Sequence, residues 1–206
     1  MRWERFFDDL EDQLAAEWEA ERAVLESEAE RVRVAREDLR TRLVAIARDA
    51  EAPVVLELAD GFAVEVELAT VGADWVAASE RVGARGLVLA PIAAIRGLRV
   101  SRGDLRRSAR PSSDRGDLLA ERVTFALALR DLSRRRVGVA IGVDAGAGRT
   151  RVLAGTLDRV AADHVDLAEH DAGAPRREAE VRGYRLLPLS AIAWVRIEAA
   201  VGVPVI

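Results

Sequence analysis

Two stretches of this sequence repeat each other at a nearly fixed distance, and such a repeat calls for two similar folding units in one chain. At an offset of 89 residues, "TVGADWVAASE" (Thr70–Glu80) faces "RVAADHVDLAE" (Arg159–Glu169), with five of eleven positions identical. At an offset of 97, "LVLAPIAAI" (Leu87–Ile95) faces "YRLLPLSAI" (Tyr184–Ile192), with four of nine identical. The eight-residue difference falls in the polar stretch "HDAGAPRREAEVRG" against "RVGARG", where a hairpin loop can absorb an insertion. Val64, Val66 and Leu68 land on Leu153, Gly155 and Leu157, so the inward face of each strand keeps its parity. A one-residue slip would turn that face outward.

Each copy has the same order of elements. A helical stretch (Ala35–Asp49, then Leu118–Leu132) precedes a short apolar strand, "PVVLEL" or "VGVAIGV". A turn with Asp and Gly follows, "ADG" or "DAGAG", as tight hairpins require. A long alternating strand pair then runs through the Asp-x-Val step, and an apolar strand, a proline and a last short strand close the copy. One helix and five short strands predict a small barrel, because closure removes exposed sheet edges.

These residues, "LELADGFAVEVELATVGADWVAAS…LVLAPIAAI" and "VLAGTLDRVAADHVDLAE…LLPLSAIAWV", resemble the Sm-like fold, which includes bacterial Hfq. The resemblance covers about Ala35–Val100 and Leu118–Ala199. With the "MRWERFF" opening, the whole chain is similar to an uncharacterised actinobacterial family whose members often carry a Fis-type transcriptional-regulator label. No helix-turn-helix is legible to support that label. The resemblance implies a mainly β (α+β) fold with two tandem five-stranded barrels, each preceded by a helix. It does not imply the uridine pocket. The Asn that Sm proteins place after the Asp-x-apolar step is Ala77 in one copy and Asp166 in the other. The basic pair of the next turn is Ala90-Pro91 and Leu187-Pro188, and Val66 stands where Gly155 matches the bending glycine.

The predicted organisation is an acidic N-terminal helix over 1–34, a first barrel with its helix over 35–100, and an Arg-rich linker over 101–117. A second barrel with its helix spans 118–199 and a tail spans 200–206. No glycine or proline occurs before Pro53, as in a long helix. Trp3, Phe7, Leu10 and Leu14 form one apolar stripe, and Trp18, Leu25, Val32, Leu39 and Ile46 continue it at seven-residue steps. Two readings stay open: pairing with another helix as a coiled coil through Trp18, Leu25, Val32 and Leu39, or packing near Leu39–Ile46 with a solvated remainder. A break near Ser27 into two shorter helices fits as well.

Half the residues are apolar, so the chain buries a core. There is no cysteine, which removes disulfides, thiolate metal sites and cysteine nucleophiles and fits a cytoplasmic setting. The charged N-terminus is neither a leader nor an anchor, and no apolar run is long enough for a bilayer. A net charge of −4 argues against a strong non-specific nucleic-acid binder. The charge is uneven, with eleven acids against three arginines over Met1–Glu30 and twelve arginines against five acids over Arg96–Arg136.

Candidate contacts to nucleic acid or a partner are Trp75 and His164, at equivalent turns and able to stack on a base, with Arg134, Arg135, Arg136, Arg149 and Arg151 as a basic patch. A tryptophan covering a barrel end explains Trp75 better, and a solvated helix end explains the arginines. His164, Asp166 and His170 alternate on one strand face and could hold a metal, yet a solvated strand face accounts for them more simply. "GAGRT" at Gly146–Thr150 lacks the ending of a phosphate loop. No catalytic residues, metal or cofactor are expected. The chain reads as a non-enzymatic, self-associating or protein-binding scaffold, a dimer before a trimer. The alternative is an RNA-associated or transcription-linked regulator acting through the arginines.

Overall fold

The N-terminal residues, free of glycine and proline, form helix α1 (Arg2–Arg36), followed after two residues by α2 (Leu39–Asp49). The computed structural model describes residues 2–81, 86–110, 120–146, 149–174 and 176–198, with side chains except those of 2–12, 15 and 198. The chain divides into two compact units, Met1–Leu39 and Arg40–Ile206. In the first unit α1 runs unbroken past Ser27, and ion pairs one turn apart, Arg31–Glu28 at 2.8 Å and Arg33–Glu30 at 2.7 Å, brace its exposed surface. Trp3, Phe7 and Leu10 lie outside the described side chains. Trp18, Leu25, Val32 and Leu39 are all exposed. The expected coiled coil is therefore corrected: α1 is a single helix whose stripe lies on its exposed face.

In the second unit, β1 (Val54–Leu58), β2 (Ala63–Val71), β3 (Trp75–Glu80), β4 (Gly86–Pro91) and β5 (Ile95–Arg99) come first. Helices α3 (Arg102–Ser108) and α4 (Phe125–Arg134) follow. Then come β6 (Gly138–Asp144), β7 (Thr150–Val160), β8 (His164–Glu169), β9 (Gly183–Pro188) and β10 (Ile192–Glu198). They form one antiparallel sheet of ten strands in the order β5-β1-β2-β3-β4-β10-β6-β7-β8-β9.

The two halves of that order repeat each other strand for strand. Trp75 pairs with Pro91, and His164 with Pro188. The irregularity between Leu68 and Thr70 recurs between Leu157 and Arg159. The backbone carbonyl of Asp74 accepts from the Ile92 N–H, and that of Asp163 from the Leu189 N–H, both at 2.8 Å.

Two separate five-stranded barrels are not what forms, and that expectation is corrected. The sheet is single and not closed, because β10 hydrogen-bonds on one side to β6 and on the other to β4 of the first half. Backbone donors and acceptors at a strand edge pair with whichever strand arrives, so one strand can serve two halves. Two cores follow. One joins α2 (Leu43, Ile46) to β1–β4 and takes in Ala193 and Trp194 of β10. The other joins α4 (Phe125, Ala128, Leu129, Leu132) to β6–β10 and takes in Trp75, Ala77 and Leu89. Each core borrows side chains from the other half.

The halves also differ where packing demands it. Val66 fills the first core, whereas a Cβ at its counterpart Gly155 would run into the backbone carbonyl of Ala168. The sequence registers this as a Val/Gly mismatch; the cause is the close approach of β7 to β8. Gly155→Val, which inserts the other half's residue, should destabilise by about 1–3 kcal/mol in urea unfolding because a backbone neighbour cannot give way. A neutral result would mean that β7 and β8 can separate there.

Part of the Arg-rich "linker" is a docked helix. Ser101 caps α3 by accepting from the Asp104 N–H at 3.0 Å, and its hydroxyl donates to Asp104 Oδ2 at 2.6 Å. The Glu51 N–H donates to Asp104 Oδ1, and Arg42 reaches the Leu105 carbonyl and Ser108 Oγ, each at 2.9 Å. The hydrogen bond from Ser101, with those from Arg107 and the Glu51 backbone, holds the buried Asp104 carboxyl below its ordinary value. A lowered folded-state pKa contributes stability that is complete above the unfolded value and lost as pH falls through the folded one. The stability gap between the unmodified chain and Asp104→Asn should therefore be constant near neutrality and shrink below about pH 4. A gap that does not change with pH would contradict this.

Candidate interaction site at the open end of the sheet

The residues singled out in the sequence do not assemble into one site. Trp75 is buried, and its indole N–H donates to the Val123 carbonyl at 2.9 Å, so it tethers the start of α4 and leaves no face for a base. Its counterpart His164 is partly exposed, with Nδ1 at 2.7 Å from Asp163 Oδ1. That contact keeps the Asp163 carboxyl below its usual range.

Arg134 and Arg135 both reach Asp131, at 2.7 and 2.8 Å. Arg136 has a φ of 52° in the turn after α4, where it stands in the place a glycine commonly takes. Arg149 and Arg151 lie at the other end of β6: next to Arg136, Gly138 pairs with Thr156, whereas at the far end Val143 pairs with Arg151. That separation is roughly 15–20 Å at the usual rise of a strand. The expected basic patch is thus two groups.

The His164, Asp166 and His170 face does not converge either. His170 is buried, with Nε2 at 2.8 Å from Thr156 Oγ1 and Nδ1 at 2.9 Å from the Asp171 carbonyl. No cluster of three or more His, Asp or Glu able to hold a metal occurs among the described residues. His170, Thr156, Gly155, Arg136 and Arg176 line an open hollow of about 470 Å³. Arg176 is held there by both oxygens of Asp158, at 2.6 and 2.7 Å. No helix among the described residues is long and apolar enough to cross a membrane.

The informative geometry is at the joint between the halves and at its unmatched counterpart. At the joint, β10 lies antiparallel on β4 with Val195 opposite Leu89, Arg196 opposite Val88 and Ile197 opposite Leu87. Arg196 reaches Glu80 at 2.6 Å, and Trp194 Nε1 donates to Asp60 Oδ2 at 2.8 Å. Leu89 is 0 % exposed under this cover.

At the far end the 97-residue offset places Leu186 where Leu89 stands and Tyr184 where Leu87 stands. There β9 is the last strand, and Leu186 is 69 % exposed and Tyr184 60 %. At the opposite end of the sheet β5 is the other terminal strand, paired among the described residues with β1 alone. Neither Tyr184 nor Leu186 was flagged by its residue type. The signal was their alignment with two residues of an apolar strand, which becomes meaningful once the cover on that strand is seen. Comparison with family models, with curated proteins and with solved structures finds no match to this chain.

Proposed function

We propose that this chain is a non-enzymatic binding or scaffold protein that associates, with itself or with another protein, through the open end of its sheet. One observation carries the reading: Tyr184 and Leu186 are exposed on the terminal strand β9, while their counterparts Leu87 and Leu89 lie under β10. Paired large apolar side chains on an unpaired edge invite a further strand, and edges without such a role usually carry charge or a cover. The RNA-associated alternative has less support, since Arg134 and Arg135 are engaged by Asp131 and the remaining arginines are divided between two ends of β6.

Light scattering tests this. The unmodified chain should exceed its monomer mass of 22.4 kDa at high micromolar concentration. The double variant Tyr184→Lys/Leu186→Lys should return to monomer mass and melt close to the dilute unmodified chain, because both positions are exposed and only the surface hydrogen bond from Tyr184 to Glu178 is lost. A clean monomer for the unmodified chain removes self-association from the reading.

A further inference from the structure

The open end of the sheet has a template inside the molecule for what covers it. The joint between the halves is a heterologous contact, in which the fifth strand of the second half lies on the fourth strand of the first. The unit carries one unused fourth strand, β9, and one unused fifth strand, β5, at opposite ends of the sheet. We infer that the partner is a second copy of this chain, whose β5 adds antiparallel to β9 in the register that β10 keeps on β4. The inference rests on the self-association proposed above and names its geometry.

Moved by the 97-residue offset, the joint's pairs become specific. Leu98 of the second copy faces Leu186 as Val195 faces Leu89, and Val100 faces Tyr184 as Ile197 faces Leu87. Arg99 stands where Arg196 stands, and at the 89-residue offset of the third strands Glu169 stands where Glu80 stands, so the joint's ion pair has a counterpart across the chains. In the single chain these two groups have local partners, Arg99 with Glu57 and Glu169 with Arg185. The apolar positions of β5 are only half-buried, as suits a strand with one neighbour.

Two differences make this contact weaker than the internal one. Gly97 stands where Trp194 anchors β10, so no indole crosses the contact. Arg185 stands where Val88 stands, which sets two arginines opposite each other beside Glu169. Association is therefore reversible, and Arg185→Val, which reproduces the joint's own residue, should tighten it by about two- to five-fold. Because the contact is head to tail, repeating it gives a closed ring or an open filament, with no two-fold axis through the contact itself.

The chain contains no cysteine, so single introduced thiols report on this contact alone. Leu98→Cys and Leu186→Cys chains are mixed under mild oxidation and run on a non-reducing gel. Opposed strand residues lie within disulfide reach. The mixture should cross-link on the order of tenfold faster than either variant alone, because the register holds the two thiols together. The Val100→Cys and Tyr184→Cys pair should behave alike, which covers a loss of folding in one variant.

Leu186→Cys cross-linking with itself as fast as in the mixture would overturn the inference in favour of β9 on β9. An oligomer by light scattering with no preferential cross-link in either mixture would overturn this register and leave the proposed function standing. A monomer by light scattering would overturn this inference and remove self-association from the proposed function.

Discussion

Trp194→Ala is expected to cost about 3–5 kcal/mol in urea unfolding, the range for a large buried aromatic removed from a core. For a chain of this size that is on the order of a 10 °C fall in melting temperature. The indole has no solvent exposure to speak of, Gly142 leaves its space to the ring, and Phe62 lies with ring centroids 5.1 Å away. Its N–H donates at 2.8 Å to Asp60, a buried carboxylate that also accepts from the Phe62 N–H at 3.0 Å. Removing the ring therefore leaves a cavity and takes a donor from a buried acceptor, and both effects act in the same direction. Trp194→Phe separates them, since it keeps most of the volume and loses only the donor. It should recover more than half of the loss. The same variant bears on architecture, because Trp194 belongs to the second half in sequence and to the first core in space. A loss below about 1 kcal/mol would mean that the halves hold together without it.

Glu80→Ala is expected to destabilise by about 3 kcal/mol, because it strands the arginine of a largely desolvated pair. Glu80 is 3 % exposed at the side chain, and Arg196 Nε and an Nη reach the same oxygen at 3.1 and 2.6 Å. The guanidinium also lies 5.0 Å from the Trp194 ring and 5.5 Å from that of Phe62, so its position is fixed from several sides. Added salt should change the loss little, since a buried pair is screened less than one in solvent. Adding Arg196→Ala should cost less than the two single losses together, because no unpaired charge then remains. Losses that add within about 0.5 kcal/mol would show the pair to be uncoupled.

The same side-chain types carry different weight in the two copies, and this explains why the candidate site was only partly legible. Asp74 and Asp163 were aligned correctly by the repeat, and the backbone carbonyl of each accepts from the first residue after its partner strand, the Ile92 N–H or the Leu189 N–H. Asp74 also accepts the Phe125 N–H through Oδ1 at 2.6 Å, where α4 begins; Asp163 faces only its neighbour His164. Trp75 against His164 and Leu89 against Leu186 follow the same division, buried at the joint and exposed at the end. Nothing in the residue type distinguishes Leu89 from Leu186, or Asp74 from Asp163. The basic patch failed for a related reason: Arg136 and Arg149 are close in sequence, but β6 carries the chain away between them.

The residues alone determined how each half is drawn. Alternating apolar positions set which strand face turns inward, the Asp-Gly turns set where the hairpins reverse, and the repeat carried one register onto the other. They also determined that a helix precedes each half, although α2 and α4 begin four and seven residues later than their sequence patterns indicate. Only the tertiary structure decided that β10 bridges the halves into one open sheet. The physical reason is that a hydrophobic pattern specifies the face a strand buries, whereas the neighbour at its edge is chosen by backbone groups that every residue shares. Val195 and Leu98 look alike in sequence as fifth-strand residues; one has a strand on each side, and the other, among the described residues, has a strand on one side.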